Sequence, residues 1–108
     1  MTTSYKVLGQ AAPAAAVLSD LYVAPPATQA ISSSIVISNR AAASAFRVAV
    51  RPAGAPIENK HYICYDSAIG AADTIILTLG MTLAPTDVVS VYARDATLAF
   101  NLFGSEVN

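Results

Sequence analysis

Side chains that carry out chemistry are scarce in this chain. Its 108 residues include one histidine, one cysteine, no tryptophan, six basic and seven acidic side chains. Catalysis needs several groups whose pKa or nucleophilicity can be tuned against one another, and few are present to tune. A single cysteine, Cys64, excludes an intrachain disulfide and the cysteine-based zinc sites. The basic residues are scattered with no Lys/Arg cluster, so no footprint for a phosphate backbone exists and nucleic-acid binding is not expected. No loop carries the several carboxylates that calcium requires. The glycines form no phosphate-binding pattern, and no serine stands in a Gly-x-Ser-x-Gly elbow. Mean hydropathy is positive, yet Ser, Thr, Asp, Pro or Gly interrupts every apolar run well short of the ~18 residues a membrane helix needs. The first residues lack the basic and apolar regions of a signal peptide. The expectation is a soluble protein made in a cytoplasm, without cofactor or metal and without enzymatic activity.

What is present is alanine, serine, threonine and β-branched residues in alternating runs. Phe46-Arg47-Val48-Ala49-Val50-Arg51 places Phe46, Val48 and Val50 on one face and both arginines on the other, the pattern of a half-buried strand. Strand character recurs at 5–8, 17–23, 31–38, 61–66, 74–79, 88–92 and 97–103. Turn-forming Pro, Gly, Asn and Asp fall between these runs at intervals of roughly 8–14 residues. Alanine favours helix, but Pro13 interrupts the stretch 11–16, and the stretch 41–45 is too short to stand alone. Both are expected to be loop. This pattern predicts one all-β domain over 1–108: an antiparallel β-sandwich of seven to nine strands, with a jelly roll as one form of it. The core is expected from Ile, Val and Leu with Phe46, Phe100, Phe103 and some tyrosines.

Two groups invite a functional reading. His61, Cys64 and Asp66 are close in sequence, but strict alternation puts His61, Ile63 and Tyr65 on one face and Tyr62, Cys64 and Asp66 on the other. The expectation is therefore a core or half-buried cysteine and a surface or interface histidine, not a metal site or a nucleophile with its base. Arg40, Arg47 and Arg51 lie close together in a charge-poor chain and suggest a strip for a carboxylate-bearing partner, set against a merely solvated strand face. Tyr5 and Phe103 place both ends of the chain in the sheets and complete the candidate partner interface. Tyrosines beside Ser/Thr-rich strand faces also admit a carbohydrate-binding module as a lesser alternative.

Beyond these patterns, Tyr5-Lys6-Val7-Leu8-Gly9-Gln10, Leu21-Tyr22-Val23-Ala24-Pro25, Ile37-Ser38-Asn39-Arg40, His61-Tyr62-Ile63-Cys64-Tyr65-Asp66, Leu77-Thr78-Leu79-Gly80-Met81-Thr82-Leu83 and Phe100-Asn101-Leu102-Phe103-Gly104-Ser105-Glu106 resemble a family of small structural proteins of tailed bacteriophages, common in cyanophages and other aquatic phages. The resemblance extends over nearly the whole chain, and its motifs are structural. It implies a virion component without active-site residues. The expected role is capsid decoration: a cement protein, guessed to be trimeric, bound to the major capsid protein. A tail, baseplate or fibre component is the alternative within the particle.

Overall fold

The computed structural model describes residues 1–108. Nine strands form: β1 (Thr3–Ala11), β2 (Ser19–Val23), β3 (Gln29–Asn39), β4 (Ser44–Arg51), β5 (Tyr62–Ile69), β6 (Thr74–Leu77), β7 (Thr82–Leu83), β8 (Val88–Ala93) and β9 (Leu98–Val107). The only helical pieces are 3-10 turns at Pro52–Gly54 and Asn59–His61, and no helix is long and apolar enough to cross a membrane. Both alanine-rich stretches are loop up to the adjoining strands.

All pairings are antiparallel. The first sheet runs β1-β9-β3-β6, with β7 also on β3; the second runs β2-β8-β4-β5. β6 and β7 pair with successive parts of β3, so they act as two halves of one interrupted strand. With that reading the pairs β1·β9, β2·β8, β3·β6/β7 and β4·β5 are the rungs of one long hairpin, rolled until β9 meets β3 and β8 meets β4. This is a jelly roll, the form of sandwich the turn spacing allowed. The β6–β7 break has its own support. Ser32, 1% exposed, donates its hydroxyl to the Leu79 carbonyl at 2.7 Å and accepts from the Met81 amide at 3.0 Å. Both polar groups left by the missing ladder are thereby paired.

The core lies between the sheets because each strand turns alternate residues inward. Leu98, Phe100 and Leu102 of β9, Ile35 and Ile37 of β3, Phe46 and Val48 of β4, and Val89 and Val91 of β8 are all buried. Phe46 and Phe100 meet edge to face across the sandwich, 6.3 Å between centroids. Phe103 is not among them: a register shift between Ser32 and Ser34 accompanies its place beside Val7 and Ser34, on the outer side. Among the tyrosines only Tyr22 is buried. Its hydroxyl, from β2, donates to the Glu106 carboxylate of β9, which also takes Lys6 Nζ at 2.9 Å, so one carboxylate ties the two sheets. Gly9 sits where β1 meets β2, and a Cβ there would fall inside contact distance of the Leu21 carbonyl oxygen. Both chain ends are held, as Thr2 and Asn108 exchange backbone hydrogen bonds of 2.7 and 3.0 Å.

Candidate functional site: two unlike sheet faces

Register assigns every outward residue. On the first sheet the outer rows are Thr3–Val107–Gln29, Tyr5–Ser105–Ile31–Thr82, Val7–Phe103–Ser34, Gln10–Asn101–Val36–Ile76 and Ala99–Ser38–Thr74. None of these residues is charged. Tyr5 is 86%, Val7 45%, Ile31 51% and Ile76 65% exposed, and Phe103 and Val36 are half-buried beside them. About half of these residues are Ser, Thr, Asn or Gln and the rest apolar, so the face is uncharged, with exposed apolar side chains set among neutral polar ones. It contains Tyr5 and Phe103, two of the residues singled out in the sequence.

The second sheet is different. Its outer face carries Val23, Val88, Asp20, Ser90, Arg51, Ala49, Tyr92, Arg47, Tyr62, Tyr65 and Asp66, and the charges there are paired. Arg51 reaches Asp20 at 2.9 Å and Ser90 Oγ at 3.1 Å, and donates to the Gly54 and Ala55 carbonyls. Arg47 forms a two-pronged contact with Asp66, at 2.7 and 3.3 Å. Its guanidinium also sits 4.1 Å from the centroid of Tyr65 and 4.2 Å from that of Tyr92. Tyr62 meets Tyr65 edge-on at 4.9 Å. The hydrogen bonds from Arg47 hold the Asp66 carboxyl below the usual carboxylate range, and those same bonds raise Arg47 further.

Arg40 stands apart from this pair. It occupies the loop between β3 and β4 and donates to the carbonyls of Thr97 and Ala96, at 3.2 and 3.1 Å. The three arginines therefore form no continuous strip, and each is engaged within the chain.

Strict alternation fails in β5. Ala49 pairs with Tyr62 and Val48 with Cys64, leaving Ile63 as an extra residue; Phe46 then pairs with Ser67, so Tyr65 and Asp66 together oppose Arg47. Asp66 takes φ 50°, a left-handed conformation rare for a side-chain-bearing residue. Two bulges thus bring Tyr62, Tyr65 and Asp66 to one face, which no period-two reading foresees. Cys64 turns to the core side, half-buried, where burial pushes its thiol up. His61 is not a surface residue. It closes the 3-10 turn before β5, 7% exposed, with Nδ1 accepting from the Glu58 amide at 3.0 Å. The turn converts the expected first strand residue into a buried cap. No three His, Cys, Asp or Glu side chains converge in a way that could hold a metal ion.

Neither any protein-family model nor any curated protein matches this chain.

Proposed function

We propose that this protein is a non-enzymatic structural component of a virus particle, a capsid decoration protein that stabilises the head shell by binding it through the outer face of the first sheet. The observation that carries the reading is that face itself: apolar side chains of Tyr5, Val7, Ile31, Val36, Phe103 and Ile76 in register, with no charge among them. Covering such a surface removes apolar area from water at roughly 25 cal/mol per Å² and desolvates no ion. A protein that binds only the assembled shell stabilises it by mass action. The bacteriophage resemblance of the sequence supplies the setting, and a rigid jelly roll suits repeated packing. Other virion proteins, foremost the major capsid protein, are the partners of this reading, and a trimer is the assembly it favours.

The test is localisation on purified particles by electron microscopy together with copy number. Hundreds of copies over the head, and heads that weaken when the protein is stripped, are the expected outcome. A few tens of copies at the tail would move the same packing face to a tail or baseplate role. Absence from the particle would end the virion reading.

A further inference from the structure

The second sheet carries a site that the packing role does not use. We propose that the outer surface around Tyr62, Tyr65 and Asn59 binds a neutral saccharide. Three of the chain's five tyrosines, Tyr62, Tyr65 and Tyr92, gather there. Their hydroxyls make no hydrogen bonds within the protein, nor does the Asn59 side chain. Tyr65 is 57% exposed and Tyr62 stands half-buried and edge-on beside it, which offers a sugar apolar surface for its C–H groups, with donors and acceptors at the margin for its hydroxyls.

The platform is prearranged. Arg47 lies between the rings of Tyr65 and Tyr92, and Asp66 clamps the guanidinium through Nε and Nη2, leaving Nη1 without an intramolecular partner. Aromatic groups fixed in this way lose little freedom on binding. The bulge that aims Tyr65 and Asp66 to one side is maintained with a left-handed Asp66, and bulges of this kind recur where a side chain must be re-aimed for function. A depression of about 430 Å³ lies against Asn59, Tyr62 and Tyr65. A second, of about 520 Å³, also touches Tyr62 and is lined besides by Val50, Pro52, Glu58, Lys60 and His61.

Charge selects the neutral class. Arg47 is matched by Asp66 and Glu58 stands near Lys60, so the site carries no net positive charge to draw a carboxylate or sulfate sugar. The site stands on the other sheet from the packing face, so either reading can fail without the other.

Titration of the full chain with gluco-, manno-, galacto- and chito-oligosaccharides, followed by amide chemical shifts, tests it. At least one series is expected to give saturable shifts centred on Asn59, Tyr62 and Tyr65. Tyr65→Ala should weaken that binding roughly tenfold, the loss of one stacked ring. Tyr65→Phe should retain it, which separates loss of the ring from loss of the fold, and Tyr5→Ala on the first sheet should leave it unchanged. The proposal is overturned if no neutral series saturates, if only acidic sugars bind, if the shifts map elsewhere, or if Tyr65→Ala binds as the parent does.

Discussion

The two sheets of this jelly roll turn equivalent faces inward and opposite characters outward. Inside, Phe100 of one and Phe46 of the other meet as equals. Outside, the first sheet has no charge on its outer rows, Lys6 and Glu106 lying in the others, while the second carries Asp20, Arg47, Arg51 and Asp66 in paired contacts. A solvated face needs polar groups, and the second sheet has them with stacked tyrosines between. The first sheet sets exposed apolar rings and branched chains among neutral Ser, Thr, Gln and Asn, with no ion between them. One fold thus presents a surface suited to being covered and a surface suited to remaining open.

Substitution inside the sandwich sets the scale. Phe46→Ala and Phe100→Ala should each cost about 3–5 kcal/mol in urea unfolding, because each empties the same shared contact. Unequal costs would mean that the sheets do not contribute equally to the core.

The next largest effect separates the outer faces. Paired Ile31→Asp and Ile76→Asp changes should reduce binding to stripped heads by roughly a hundredfold, since each would bury an unpaired carboxylate, while unfolding free energy moves by about 0.5 kcal/mol or less. Val23→Asp, equally exposed at 51% but on the second sheet, should bind as the parent does. If both variants lose binding alike, the distinction between the faces fails.

On the second sheet, Arg47→Ala should cost about 1–2 kcal/mol through its two ring contacts. Arg47→Lys should recover only part of it, because a lysine lacks the planar fork that both rings and Asp66 engage. Full recovery in chemical denaturation would show that charge alone matters there.

Acid should produce the smallest and most diffuse effect. Asp66 is held low chiefly by Arg47, and Glu106 chiefly by the Tyr22 hydroxyl and then by Lys6. Both carboxyls titrate lower in the folded chain than in the unfolded one. They therefore contribute stability above the ordinary carboxylate range, and that contribution is lost as pH falls through their folded values. Melting temperature should be level near neutrality and decline below the ordinary carboxylate range. Glu106→Gln should flatten that decline, and an unchanged slope would remove Glu106 as the tie between sheets.

Much of the fold is legible in the chain. The alternation of 46–51 gives β4 with Arg47 and Arg51 outward, and the turn residues fall at the strand ends. The loops at 11–16 and 41–45 follow from Pro13 and from short length. Alanine hides other turns, since Ala16, Ala27, Ala53 and Ala72 take left-handed φ of 51° to 59° that propensity assigns to glycine or asparagine. The strand β7, two residues long, lies outside the strand runs legible in the sequence; its place comes from Ser32 and its neighbours on the distant β3. Tyr5 and Phe103 are legible as sheet residues, and Phe103 as an outward one follows from strict alternation with Leu98, Phe100 and Leu102; expecting it in the core put its aromatic character ahead of that parity.

Composition and period two, both local, determined that this chain is β, single-cored and poor in reactive groups. Which strands pair, and therefore which residues share an outer face, depended on contacts between residues distant in sequence. Each bulge inverts the parity that follows it, and the bulges in β5 exist only opposite β4. The uncharged face joins β1, β9, β3 and β6, and the tyrosine platform joins β4, β5 and β8. No single segment contains either, so only the rolled sandwich could bring them into being.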